Sequence, residues 1–490
     1  SLWARGDAPD GLVVRLRQGS RVIAEQRLAG PGAEWTELPI RLSPRASSRS
    51  ATLEVGLVGA GQVNIDQVSL MPEAWARGGG FRPDLRDAIA GLQPTVIRYP
   101  GGIYAEHYRW KDGIGPQHAR GNFPISLWDD VDTNSLGTDE FIELCRQVGA
   151  EPMLVVNIGR HDPNGAPREA YLREALDWME YCNGPADSRW GAVRAANGHP
   201  EPYNVRLWEI DNETWNMGVE NYAPIVEMFS TAMRAAWPDI EIAACGSSGY
   251  GGSAMAWNSY LIENVAEHFD QLSIHHYEGP TNYDRGPRDY EAFFAATGER
   301  IAASANPEMK IFISEWNAQS TDWRTGLYAG GILNAFERQP SVAMAAPALF
   351  LRHVSAMDWD NAFVNFDQNT WYPAPNYVVM QLYRQHFQPQ RLVLDGAQGP
   401  LNALATSSED GRTVVLKVVN PTDTPRPLEL TVPGARGAEA WQVAPDFLGA
   451  RNTLAAPDAV RAERAEVLRA GDTLSIELPR LSVVVVRVTR

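Results

Sequence analysis

Two segments far apart in the chain, Leu207-Trp208-Glu209-Ile210-Asp211-Asn212-Glu213 and Ile311-Phe312-Ile313-Ser314-Glu315-Trp316-Asn317, each read as a buried strand ending in a carboxylate. Two such acids suit the cleavage of a glycosidic bond. One carboxyl protonates the leaving oxygen while the other attacks or stabilises the anomeric carbon, so the pair must converge from separate segments. A single glutamate at a strand end is often no more than a solvated rim residue. Here each follows a run too apolar for a surface strand and is flanked by Asn and Trp. An amide suits sugar hydroxyls, and an indole suits the face of a sugar ring.

The elements that must position these acids follow from the rhythm of the chain. Residues 1–75 alternate with period two, as in Val13-Val14-Arg15-Leu16-Arg17 and Ala51-Thr52-Leu53-Glu54-Val55, which predicts a small antiparallel β-sandwich of carbohydrate-binding type. Residues 76–390 change to strand followed by helix. Apolar segments at Thr95–Tyr99, Pro152–Asn157, Val205–Ile210, Ile240–Cys245, Leu272–His276, Lys310–Ser314 and Ala346–Leu351 are separated by stretches of helical period, such as Phe141, Leu144, Cys145 and Val148. Strict alternation implies a parallel sheet with helical crossovers, and in a closed α/β barrel residues at the carboxyl ends of different strands meet on one face. Residues 391–490 return to period two, for instance Val414-Val415-Leu416-Lys417-Val418-Val419, and predict a C-terminal all-β sandwich.

Composition narrows the function. With 490 residues the chain is too long for one core. A formal net charge of -17 and a pI near 5.1 argue against nucleic acid or an anionic membrane as partner, whereas a neutral polysaccharide is not repelled. No apolar run approaches the roughly 18 residues of a membrane span. Cys145, Cys182 and Cys245 lack the short spacing of a zinc site, the nine His are dispersed, and neither a metal nor an organic cofactor is expected. The chain opens Ser1-Leu2-Trp3 without a leader, so compartment stays open, with a periplasmic or extracellular place of action favoured.

Several motifs in order along the chain carry a family resemblance. They are Ile65-Asp66-Gln67-Val68-Ser69-Leu70-Met71-Pro72, Arg98-Tyr99-Pro100-Gly101-Gly102, Tyr108-Arg109-Trp110-Lys111-Asp112 with Gly115-Pro116, and Thr133-Asn134-Ser135-Leu136-Gly137-Thr138-Asp139-Glu140-Phe141. Asn197-Gly198-His199-Pro200-Glu201-Pro202-Tyr203-Asn204-Val205 leading to Trp208–Glu213, Ser273-Ile274-His275-His276-Tyr277 and Ser314-Glu315-Trp316-Asn317 complete the set. Together they resemble the α-L-arabinofuranosidases of glycoside hydrolase family 51. The resemblance implies a (β/α)8 barrel acting with net retention, with Glu213 as acid/base and Glu315 as nucleophile. Their carboxyl groups should then lie about 5 to 5.5 Å apart. Glu213 should hold a proton at working pH while Glu315 is ionised.

The same matching assigns neighbours. Arg98 resembles the arginine that keeps the nucleophile charged, Asn212 the amide that binds the sugar 2-hydroxyl, Tyr277 the phenol beside the nucleophile, and His275 a buried support residue without substrate contact. Asn157, at a strand end, either faces the pocket or serves as an internal cap. Trp316, Trp215, Trp128, Trp359 and Trp371 are candidates for stacking on sugar rings, two of them in the cleft. Two departures bear on substrate choice: the family usually has Asn or Cys where this chain has Ile103, and Gly where it has Asp211. Ile103 is therefore expected in the wall of the sugar site.

The expected activity is removal of α-L-arabinofuranosyl units from plant-type polysaccharides or oligosaccharides. A retaining β-glucanase, xylanase or xyloglucan-active enzyme of the same fold is the alternative within that chemistry, and a non-catalytic carbohydrate-binding protein is the alternative outside it. Seven strand candidates fall between Thr95 and Leu351, one short of a closed barrel. In plant-type members of the family the opening strand lies before an inserted sandwich, so an upstream N-terminal segment or a second chain is expected to complete the barrel.

Overall fold

The structure, a computed structural model, describes residues 1–490 apart from 126–129, 163, 358 and 397–398. It divides into two compact units, Ser1–Pro83 and Asp84–Arg490.

In the first unit, two three-stranded antiparallel sheets pair Leu2–Asp7 with Thr36–Leu38 and Gln62–Asp66, and Leu12–Gln18 with Arg21–Leu28 and Thr52–Leu57. Alternation sends Leu2, Ala4 and Val14 inward against Leu38, Leu53, Val55 and Val63, which forms the core expected of a sandwich.

The second unit is built on a seven-stranded parallel sheet. Its strands are β1 (Val96–Tyr99), β2 (Glu151–Val156), β3 (Leu207–Ile210), β4 (Glu241–Ser248), β5 (Gln271–Glu278), β6 (Lys310–Ala318) and β7 (Val342–Pro347), hydrogen-bonded in chain order. Crossover helices include α1 (Thr138–Val148), α2 (Arg168–Asn183), α3 (Val219–Ala236), α4 (Gly252–Asn264), α5 (Gly286–Ala302) and α6 (Trp323–Arg338). The sheet curls into a nearly closed barrel. β1 and β7 come near each other without forming a ladder, and a cavity of about 1250 Å³ runs along the opening between them. The first six predicted strands stand where their apolar runs place them. The seventh does not: the strand is Val342–Pro347, earlier than the predicted Ala346–Leu351. Its Val-Ala-Met-Ala-Ala composition carries little strand signal, and Phe350 and Leu351 pull the apolar run downstream.

Barrel interior residues sit in layers. At the amino ends Met153, Leu207, Ala243 and Phe312 pack with Val96, Met344 and Ala346 into an apolar plug. One step toward the carboxyl ends the layer is polar, with Arg98, Glu209, Ser273 and Ser314 joined by hydrogen bonds. The C-terminal strands form a six-stranded and a three-stranded antiparallel sheet around Val414, Leu416, Val418, Leu474, Ile476, Val484 and Val486. This region is tied to α6 through the ion pair of buried Lys417 with half-buried Glu337 and a hydrogen bond from Trp323 Nε1 to the Leu481 carbonyl.

Candidate active site

A register shift aims one of the two acids. β5 and β6 pair Ile274 with Ile313, then His275 with Glu315, so β6 carries one extra residue at Ser314. A bulge of this kind re-aims the side chains beyond it. Phe312 and Ser314 face the barrel interior, and Glu315 then joins them instead of turning outward. The other acid follows β3 through a sharp turn in which Asp211 and Glu213 both hold left-handed backbone, φ 62° and 47°. Gly101 and Gly102, after β1, allow close approach: a Cβ on Gly101 would stand 3.1 Å from Arg98 Nη1, and Gly102 holds φ 68°.

The structure brings Glu213, Glu315, Arg98, Asn212, His275 and Tyr277 together. His275 Nδ1 lies 2.8 Å from Glu213 Oε1 and 3.7 Å from Glu315 Oε2. One carboxylate oxygen of each acid and the His275 nitrogen all fall within 4.8 Å of one another. Arg98 donates from Nη1 to Glu315 Oε1 at 3.1 Å, from Nη2 to Asn212 Oδ1 at 2.9 Å, and from Nε to Glu209. Tyr277 Oη donates to Glu315 Oε2 at 2.5 Å. Asn212 Nδ2 is buried and makes no hydrogen bond of ordinary geometry. His275 thus stands between the two acids as well as behind the second.

The acids differ in environment. The side chain of Glu315 is 7% exposed and that of Glu213 30%. Burial pushes the Glu315 carboxyl toward its neutral form, but His275 and Arg98, with hydrogen bonds from Tyr277 and Arg98, outweigh burial and hold it below the usual glutamate range. Burial likewise opposes the Arg98 charge, and the carboxylates of Glu209 and Glu315 more than restore it. Burial and the neighbouring Glu315 raise the Tyr277 phenol far above its ordinary value, so it remains a donor. A metal would fit this trio poorly, because the Arg98 cation already bonds Glu315.

The large cavity includes Glu213, Glu315, Arg98, Tyr277, Gly102, Ile103 and Trp359 in its wall, which places Ile103 in the same space as both acids. A second, more open cleft of about 790 Å³ leads outward from Tyr277 past Trp359 to Gln319, Asp322, Arg324 and Asp360. Trp359 meets Tyr277 edge to face at 5.4 Å, and Trp215 meets His275 at 5.9 Å.

One expectation is corrected and one alternative decided. Trp316 is fully buried between Phe336 of α6 and Phe363, so it belongs to the core and not to a stacking surface. The bulge explains the reversal: once Glu315 is turned inward, Trp316 must point out toward the helices. Asn157 does not offer its amide to the pocket; Nδ2 donates to the Glu106 carbonyl and Oδ1 accepts from Gly159 N–H, both at 2.7 Å, which makes it an internal cap. Trp371 packs on Tyr377, and Trp128 lies outside the described residues.

The sequence reading missed Glu209, Ser273, Glu106 and Arg160. Glu209 is fully buried, bonded to Arg98 and, at 2.5 Å, to Ser273 Oγ. A lone glutamate inside an apolar strand, with an arginine inside another apolar strand two places along the sheet, was the available signal.

Comparison with known proteins agrees with this geometry. Residues 88–294 match the α-L-arabinofuranosidase 1 domain and residues 306–482 the α-L-arabinofuranosidase C-terminal domain, so the two models span most of the chain. The chain is 30% identical over 338 residues to α-L-arabinofuranosidase C of Emericella nidulans, covering 60% of this chain and 64% of that protein. It is 27% identical over 406 residues to α-L-arabinofuranosidase 1 of Arabidopsis thaliana, covering 79% and 56%. The chain therefore spans less than two thirds of the length of these curated relatives. The crystal structure of the Thermotoga maritima α-L-arabinofuranosidase in complex with arabinose superposes with a TM-score of 0.74 at 25% identity, covering 84% of this chain and 91% of that one. On these matches the chain belongs to glycoside hydrolase family 51, the α-L-arabinofuranosidase family.

Proposed function

We propose that the protein is a retaining glycoside hydrolase that removes α-L-arabinofuranosyl residues from plant-type polysaccharides or oligosaccharides by double displacement. The observation that carries this reading is the pair of acids with oxygens within 4.8 Å, one buried and held ionised, the other reaching solvent. Retaining pairs stand about 5 to 5.5 Å apart and inverting pairs roughly 6.5 to 9.5 Å, and oxygens this close support the retaining geometry. Glu315 attacks the anomeric carbon and forms the glycosyl–enzyme, while Glu213 gives its proton to the leaving oxygen. Glu213 then takes a proton from the water that releases the sugar, with inversion at each step and net retention. Arg98 and Tyr277 keep the nucleophile charged and aimed.

The arabinofuranosidases among the relatives support the sugar assignment. The cleft past Trp359 leaves room for the remainder of an oligosaccharide. The test is product analysis on arabinofuranosyl, xylosyl and glucosyl aryl glycosides with arabinan, arabinoxylan and xyloglucan. Arabinose release is expected; cleavage of xyloglucan or glucosides without arabinose release would transfer the same chemistry to a β-glucan or xylan substrate. Glu315→Ala should abolish turnover on every substrate. Glu213→Ala should spare substrates with good leaving groups and respond to azide.

The opening between β1 and β7 belongs to the same reading. Facing strand edges with unpaired N–H and C=O groups are a template for one more strand, and eight strands close this kind of barrel. We propose that an extended polypeptide segment from outside these residues pairs there. Hydrogen exchange in the 490-residue chain should be fast at β1 and β7 and slow at β3. Protection of β1 and β7 equal to that of β3 would oppose it.

A further inference from the structure

The turn that carries Glu213 has two non-glycine residues in left-handed backbone within three positions. Such a turn costs energy and persists where its surroundings overdetermine it. Here one side chain does so from both sides of Glu213. Arg160 lies in the loop after β2, and its side chain is 6% exposed. It donates from Nε to Asp211 Oδ2 at 2.9 Å, from Nη2 to the Asn212 carbonyl at 2.5 Å, and from Nη1 to Asn216 Oδ1 at 2.9 Å. Asp211 in turn accepts the Asn212 N–H on Oδ1 at 2.8 Å. The guanidinium therefore holds residues before and after Glu213 in one plane of donors, the fixed fork that suits arginine and not lysine.

The same guanidinium also compensates buried charge. Arg160 also pairs with Glu106, which is buried and whose Oε2 lies 2.5 Å from His161 Nε2. One cation thus stands between two buried carboxylates, Asp211 and Glu106. Burial pushes Asp211 up to about 6 and Glu106 up to about 7 even though the Arg160 charge opposes both shifts. Asp211 is not a stray charge added beside Glu213, because its carboxylate is spent on Arg160 and the turn.

We propose that Arg160 is a positioning residue for the proton-transfer step: through Asp211, Asn212 and Asn216 it sets where the Glu213 carboxyl stands relative to the leaving oxygen, with Glu106 as its counter-charge. The inference rests on the acid/base reading of Glu213. Arg160 makes no direct bond to Arg98, Glu209, His275 or Tyr277 among the bonds described here, and the two networks meet at Asn212, whose carbonyl accepts from Arg160 and whose Oδ1 accepts from Arg98.

The test is the leaving-group dependence of kcat/KM, with a thermal melt on each variant. A positioned general acid contributes roughly 100-fold or more, and an activated aryl leaving group does not need it. Arg160→Met should lower kcat/KM on arabino-oligosaccharide by about 100-fold while lowering it less than about 5-fold on a dinitrophenyl arabinofuranoside, and azide should raise kcat on the latter. Arg160→Lys should recover little, because it restores the charge without the fork. Equal losses on both substrates, or none, would overturn the inference. If Arg160→Met lacks a cooperative melt, Asp211→Asn decides: it keeps the acceptor for Asn212 N–H but not the charge, and should show the same substrate pattern at about 10-fold, with a uniform change overturning the inference. Glu213→Ala is measured alongside. If it too shows no leaving-group dependence, the acid/base reading fails and this inference with it; if it shows the dependence and the Arg160 and Asp211 variants do not, this inference alone fails.

Discussion

Removing the Tyr277 hydroxyl isolates one of the interactions that keep Glu315 ionised. In Tyr277→Phe the 2.5 Å bond to Glu315 Oε2 is lost while Arg98 and His275 stay. A hydrogen bond to a charged group contributes about 1.5 to 3 kcal/mol, and 1.36 kcal/mol corresponds to one pKa unit, so Glu315 should become easier to protonate by roughly one to two units. Because Tyr277 lines the cavity, a water taking the place of the hydroxyl would bring the change to the lower end of that range. The sign follows from the direction of the native shift. Glu315 is depressed in the folded protein, so the ionised form is present above that depressed value and lost as pH falls through it. Weakening the depression raises the value, and the acidic limb of kcat/KM moves to higher pH. The assay is kcat/KM against pH on an aryl arabinofuranoside with a good leaving group, which makes glycosylation independent of Glu213. An acidic limb that stays in place in Tyr277→Phe would refute the claim that the phenol helps hold the charge.

Further outcomes follow from the packing. Glu209→Gln leaves buried Arg98 with less counter-charge and should cost about 3 kcal/mol of stability; an unmoved urea midpoint would show that Glu209 is dispensable. Trp316→Ala should destabilise by about 3 to 5 kcal/mol with little change in KM of the folded enzyme, and a large KM rise without destabilisation would return Trp316 to the sugar site. Ile103→Asn adds a hydrogen-bonding group to the cavity wall and should raise arabinofuranosidase activity relative to any xylosidase or glucosidase activity; a fixed ratio would make Ile103 packing alone.

Much of this site was legible because its chemistry sits at strand ends. Glu213 and Glu315 terminate runs whose apolar composition marks buried parallel strands, and barrel geometry then requires their convergence. What escaped depends on local geometry that no residue type announces. The extra residue at Ser314 reverses the facing of everything after it, so simple alternation sends Trp316 inward when it in fact packs on Phe336. The Ala-rich β7 carries too little branched side chain to mark its own boundaries. Arg160 sits in a loop, where charged residues are usually solvated, and its partners come from elsewhere, Glu106 from the end of a 3-10 helix and Asp211 from the turn after β3. Only the three-dimensional arrangement shows that the Asp standing before Asn212 is balanced by a cation.

If Glu315 is the nucleophile, turnover passes through a covalent bond between its carboxylate and the sugar. This is tested most directly by trapping the intermediate with a slowly released fluorinated arabinofuranosyl substrate and mapping the labelled peptide by mass spectrometry. One pentosyl adduct is expected on the peptide containing Ile311–Asn317, located at Glu315. An adduct on Glu213, or turnover with inversion and no adduct at all, would contradict it.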